Sequence, residues 1–260
     1  MYTLNHFIWL AVCALVIATS IILLRKYKPS LKTVLTVACI VSVISEIIKT
    51  FSLMQLVPST DGTRFYPYIE LENVPFHLCS IQIVLIFMTR FMKESNARTT
   101  ILAFMYPTTI VGAFMAIMIP TVFNTNVPVQ NAFTNIMAYQ YFLYHVMLIV
   151  LGVYILMSKE VKIEKKHFVS SFIMLFVFSF ISLYVNSIFA DATYVDGSVK
   201  YVDYVANFFF TYETPINIYF TEIWHWYLYY VILFCIATLF LFLFFLPFFR
   251  KNKNLENFKK

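Results

Sequence analysis

Apolar residues in this chain come in runs of about 20, the length a helix rising roughly 1.5 Å per residue needs to cross a hydrocarbon core of about 30 Å. Seven runs stand out: Asn5–Leu24, Leu31–Leu56, Val74–Met92, Thr99–Val122, Thr134–Met157, His167–Ala190 and Trp224–Phe249. The pattern predicts an all-α polytopic membrane protein, one seven-helix transmembrane domain over residues 1–260.

The polar stretches between the runs are sorted by charge. Of nineteen Lys and Arg, all but Lys49, Arg64 and Lys200 fall in four segments, around Arg25–Lys32, Arg90–Arg98, Lys159–Lys166 and Arg250–Lys260. The alternate loops hold Asp61, Glu70, Glu72, Asp191, Asp196, Asp203, Glu213 and Glu222. The positive-inside rule then predicts an outer N-terminus and a cytoplasmic C-terminus, which an odd number of spans satisfies. Composition agrees, with 61% hydrophobic, 19% aromatic and 12% charged residues. The net charge of +6 is a topology signal, because the basic residues sit at short cytoplasmic edges where anionic headgroups are nearer partners than nucleic acid. Met1–Asn5 carries no basic residue, so the first run reads as a span and not as a cleaved signal peptide.

Cys13, Cys39, Cys79 and Cys235 all lie within the runs and suggest no disulfide framework. No CxxC, HExxH, GxGxxG or Walker sequence occurs, and four glycines leave little room for a phosphate-cradling loop. No metal and no cofactor is therefore expected. No internal repeat is visible, which weakens a transporter built from inverted halves.

Chemistry is sought among polar residues that a bilayer would exclude, since an ionisable group on a span normally faces protein or a water-filled cavity. Glu46 and Lys49 are three positions apart on the second run and share a helix face with Ser42 and Leu53. They are either a self-neutralising pair or a scaffold for another span. The third run opens Asn73-Val74-Pro75-Phe76-His77-Leu78-Cys79-Ser80, with Pro75 suited to a first helical turn and His77 placed in that turn. A regular helix there would put Ser80 on the face of His77 and Cys79 well around from it. Cys79 reads first as a small hydrophobe. On the fifth run, Tyr141 and His145 share a stripe, with Tyr144 beside them.

Counted from the outer ends of the runs, His77 lies about 5 Å deep, Lys49 about 10 Å, and Glu46 and His145 about 15 Å. Asn186 ends the sixth run on that side; Glu222, Trp224, His225 and Trp226 begin the seventh. The loop before it carries Tyr201, Tyr204, Phe208, Phe209, Phe210, Tyr212, Tyr219 and Phe220, an interfacial belt or a lid.

Glu46 with Lys49, then Pro75-Phe76-His77-Leu78-Cys79, then Tyr144-His145-Val146-Met147-Leu148, resembles the YwaF family of bacterial integral membrane proteins along most of the chain. That family is similar to a eukaryotic family of seven-span acyltransferases that remodel phospholipid acyl chains. The resemblance implies that Glu46, Lys49, Pro75, His77 and His145 to Leu148 stand at the corresponding positions. The eukaryotic acyl-carrying cysteine directly precedes the histidine, and Phe76 occupies that place here, so the mechanism does not carry over intact.

The leading expectation is a lipid-modifying enzyme, an acyl transferase or hydrolase, with a polar pocket open to the outer leaflet and membrane lipids as partners. His77 and His145 would be acid and base, Glu46 an orienting carboxylate, and Ser80 or Cys79 a nucleophile. Lys49 would meet a phosphate or oxyanion, with Tyr141, Tyr144, Asn186 and His225 lining the substrate site. The competing readings are a solute or proton-coupled transporter and a non-enzymatic receptor or assembly protein. Apolar inner halves such as Leu233–Phe249 argue against a through-path, and the absence of a lysine from the last run argues against a retinal Schiff base.

Overall fold

Six helices are long and apolar enough to cross a bilayer among the described residues of the computed structural model, which are 3–120, 122–125, 127–203, 205–214 and 220–257. They are α1 (Leu4–Tyr27), α2 (Leu31–Leu53), α4 (Asn96–Met118), α6 (Ile136–Met157), α7 (Lys166–Ile188) and α8 (Ile223–Asn257). A seventh, α3 (Leu78–Phe91), is apolar but has only 14 residues, or about 21 Å of rise. The short helix α5 (Val122–Thr125) completes the set. The protein is thus a multi-pass membrane protein, with six full-length candidate spans and one short helix in place of the seven equal spans that apolar length predicts.

The third run is short for a local reason. Pro75 has no N–H to give, and the Phe76 N–H closes a tight turn onto the Val74 carbonyl at 2.7 Å. The helix therefore begins at Leu78, so Pro75 is not in its first turn and His77 precedes it. Three of the long helices, α2, α4 and α6, start on side-chain caps. Ser30, Ser95 and Asn135 accept from the N–H groups of Thr33, Arg98 and Met137 at 3.1, 3.2 and 2.9 Å.

The connections are not all irregular. Strands β1 (Gln55–Pro58) and β2 (Phe65–Tyr68) pair antiparallel, as do β3 (Asp191–Val195) and β4 (Ser198–Asp203). Each pair closes around an Asp-Gly step, with Gly62 at φ 69° in the first and Asp196 and Gly197 at φ 51° and 75° in the second. Asp-Gly supplies the positive φ that a hairpin turn needs. The second run accordingly ends as helix at Leu53, short of the Leu56 that apolarity alone predicts.

The chain forms two compact units, Met1–Tyr68 with Cys79–Glu164, and Ile69–Leu78 with Lys165–Lys260. In the first, α6 is the central helix, packed by α4, α2 and α1. Its buried side includes Phe142, Leu148, Leu151 and Ile155. Arg90 Nε donates to Thr36 Oγ1 at 2.5 Å, and the Leu31 N–H donates to Glu160 at 2.7 Å, tying α2 to α3 and to the loop after α6. The outward sides of α1 and α2 are apolar, as lipid contact requires, with Leu15, Ile22 and Phe51 all exposed. In the second unit α7 packs on α8 and on the turn Phe208–Phe210.

The backbone of α6 comes close to α4 at Gly152. A methyl group there would run into Thr109 Oγ1, stand 2.6 Å from Ile110 Cγ1, and meet the Tyr106 carbonyl at 2.9 Å. Small residues let membrane helices approach this way. Gly152→Ala is expected to destabilise the protein by about 1–3 kcal/mol, as overpacking of a tight contact does, read as a lower thermal midpoint in detergent.

Candidate functional site

The candidate polar residues of the first unit lie on α2, α3 and α6. On α2, Lys49 Nζ reaches both oxygens of Glu46, at 2.8 and 2.9 Å. Their i, i+3 spacing places them on one face, so the pair needs no other element to form. The two side chains are 17% and 26% exposed, so the pair sits at the edge of the helix packing and not in its centre. Between α2 and α3 a groove of about 310 Å³ is lined by Ser42, Val43, Glu46, Ile47, Thr50, Phe51 and Ile83. Its walls are apolar apart from Ser42, Glu46 and Thr50.

On the side of α2 that meets α6, Ser45 Oγ accepts from Gln140 Nε2 at 2.6 Å. Ser42 Oγ is completely buried and has no hydrogen-bond partner among the described residues. On α6, Tyr144 donates its hydroxyl to the Cys79 carbonyl at 2.8 Å, pinning the start of α3 against the turn that carries His145. Cys79 and Ser80 are half-buried, with Sγ and Oγ 3.9 Å apart.

His145 is 4% exposed. Its Nδ1 lies 2.6 Å from the Tyr141 carbonyl, and the two rings pack at 4.4 Å. A carbonyl can only accept, so Nδ1 carries the proton. In the neutral ring that leaves the lone pair on Nε2. Nε2 is buried and has no partner among the described residues. Tyr141 is held in turn, since its hydroxyl donates to the Ala116 carbonyl of α4 at 2.9 Å.

The remaining candidates belong to the second unit. His77 packs edge-on to Phe208 at 5.2 Å and beside Phe210 at 5.8 Å, and Phe76 meets Phe208 and Phe209. Asn186 is fully buried and its amide is occupied by this same turn. It accepts from the Phe208 N–H at 2.9 Å and donates to the Phe208 carbonyl at 3.0 Å and to Thr211 Oγ1 at 2.9 Å. Trp226 Nε1 and the Tyr229 hydroxyl donate to the carbonyls of Thr211 and Phe210. The tethers hold Phe209 and Phe210 at φ 58° and 53°, a left-handed conformation that bulky residues adopt only under outside constraint.

His225 Nδ1 accepts from the N–H of Glu222 at 3.3 Å and lies the same distance from Thr221 Oγ1, at the start of α8. The aromatics of the long loop are thus built into this unit; Tyr204 and Tyr219 lie outside the described residues. The structure therefore describes Glu46, Lys49, Cys79, Ser80, Tyr141, Tyr144 and His145 in one unit, and His77, Asn186 and His225 in the other. Among the described residues no group of three or more His, Cys, Asp or Glu is arranged to hold a metal ion.

Gln140, Ser45 and Tyr229 are additions that the sequence reading passes over, and Trp226, named there only as opening the seventh run, gains a role in holding the aromatic turn. Gln140 had a legible signal, since it is one turn from Tyr144 on a predicted span.

A family model described as the TMEM164 family matches residues 1–246, and the chain belongs to that family. No curated protein and no solved structure matches the chain.

Breaking the Glu46–Lys49 pair from one side strands a charge at the helix edge. Glu46→Gln and Lys49→Met are each expected to cost about 1–3 kcal/mol, while the double variant costs less than the two together, as thermal melting in detergent would show. Asn186→Ala removes all three bonds to the aromatic turn and is expected to cost about 2–4 kcal/mol. Limited proteolysis of the full chain should then cut within residues 206–214, where the parent protein resists.

Proposed function

We propose that this TMEM164 family member is a lipid-modifying membrane enzyme of the acyl-transfer or acyl-hydrolysis type, with His145 as its general base. The observation that carries the reading is the state of His145. The ring is fixed by Tyr141, and its Nε2 lone pair sits in the interior with nothing among the described residues to accept from. An unsatisfied polar atom in an apolar interior is costly, and such atoms concentrate where a ligand or a reacting proton completes them.

The likeness of the Glu46–Lys49, Pro75-to-Cys79 and Tyr144-to-Leu148 segments to the YwaF family, and beyond it to seven-span phospholipid acyltransferases, supports the same class of substrate. The α2–α3 groove adds a physical reason. It has apolar walls for an acyl chain and opens on a side of α2 that faces lipid. Lys49, with Glu46, stands on the same helix to meet a phosphate or a developing oxyanion.

Phe76 has no nucleophilic atom and is engaged with Phe208 and Phe209. A covalent acyl-cysteine at that position is thereby excluded. The remaining routes are a nucleophile at Ser80 or Cys79, or direct attack by a water or lipid hydroxyl whose proton passes to His145 Nε2. By direct attack, the water or lipid oxygen bonds to the acyl carbon, the ester oxygen leaves, and His145 returns the proton to it; by the covalent route Ser80 or Cys79 first takes the acyl group in the same way, and a water or lipid hydroxyl then attacks that acyl-enzyme, its proton passing through His145 to the departing side chain. With the N-terminus outside, as the charge pattern predicts, the groove opens toward the outer leaflet.

Untargeted lipid analysis tests this. Cells lacking the protein should show an altered lipid class, restored by the parent chain and not by His145→Ala present at equal abundance. Loss of a general base costs about 10²–10⁴ in rate. Restoration by His145→Ala would overturn the assignment.

A further inference from the structure

The β1–β2 hairpin is fully exposed along both strands. Its register pairs Leu56 with Pro67 and Pro58 with Phe65, so these four side chains share one face. That face has no polar side chain, and Leu56 and Phe65 are 70% and 64% exposed. The opposite face carries Gln55, Val57, Tyr66 and Tyr68.

An isolated two-stranded hairpin is marginal in water, so an exposed face of this kind implies a supporting surface. A third strand is a poor candidate, because a proline in each strand removes a ladder donor from each. The hairpin begins one residue past Met54, directly after α2, whose outward side bears the exposed Ile44, Ile47 and Phe51. The hairpin thus follows directly, in sequence, on a helix whose outward side is apolar.

The turn is polar in the opposite sense. Asp61 accepts from the Ser59 hydroxyl, from the Thr63 N–H at 3.0 Å and from the Thr63 hydroxyl at 2.8 Å. These bonds hold its carboxyl down at about 2, so it stays ionised and, with Arg64, keeps the turn in water. An apolar face, a tyrosine face and a charged tip match the layering of a bilayer surface.

We propose that the β1–β2 hairpin is a membrane-surface anchor whose Leu56, Pro58, Phe65 and Pro67 face lies in the boundary between headgroups and acyl chains. It steadies the end of α2 next to the groove that Phe51 lines, and it does so whether or not His145 performs chemistry.

The test uses the full chain in phosphatidylcholine vesicles whose acyl chains are brominated near the headgroup. Bromine quenches tryptophan emission on contact, and Trp9, Trp224 and Trp226 provide a constant background measured on the parent chain. The emission added by Phe65→Trp, and independently by Leu56→Trp, should be quenched several-fold more than that added by Thr63→Trp at the turn. Equal quenching at positions 56, 63 and 65, or none at 56 and 65, would overturn the anchor.

Discussion

Hydrocarbon offers a polar group no water, and this constraint organises the structure. Many polar side chains described on the spans have a protein partner to replace it. Lys49 neutralises Glu46, Gln140 meets Ser45, Tyr144 meets the Cys79 carbonyl, and Tyr141 meets Ala116. Thr108 and Thr109 turn back onto the carbonyls of Phe104 and Met105, four residues earlier on their own helix, at 2.7 Å each. Against that background the buried Nε2 of His145 and the Oγ of Ser42, like the hydroxyls of Ser171 and Thr238, have no hydrogen-bond partner among the described residues. Ser42 lines the groove, and His145 lies on the helix that packs against the same span.

The same constraint explains what could be read in the sequence. Helices longer than 20 residues announce themselves by apolar length alone, so α1, α2, α4, α6, α7 and α8 were each legible to within a few residues at most ends. The Glu46–Lys49 contact was legible for a similar reason, since both residues lie on one helix and spacing determines whether they meet. The Tyr141–His145 contact was too. Pairings that join different helices, such as Gln140 with Ser45, depend on the rotation of each helix about its axis, which no periodicity in two nearly all-apolar segments reports.

The third run shows where length misleads. Val74–Met92 is apolar enough to read as a span, yet Pro75 cannot donate, and Phe76 and His77 pack against the aromatic turn at Phe208–Phe210. The helix therefore starts at Leu78, behind the turn at Pro75, and loses its first residues to local backbone chemistry. The hairpins were missed for the opposite reason. Asp61-Gly62 and Asp196-Gly197 are strong turn signals, but a reading governed by apolar runs passes over segments that are short, polar at the tip and outside the core.

Phe76 itself can be understood in the same terms. At this position the chain needs bulk, because Phe76 and His77 together cover Phe208, the fully buried member of a strained turn that Asn186, Trp226 and Tyr229 hold in place. A thiol would leave a gap against two aromatic rings. If the protein is catalytic, its chemistry then depends on the base and not on a covalent intermediate at that site. An imidazole whose Nδ1 proton is committed to a backbone carbonyl suits such a role. Its tautomer is set by that bond, and its Nε2 is buried with no hydrogen-bond partner among the described residues.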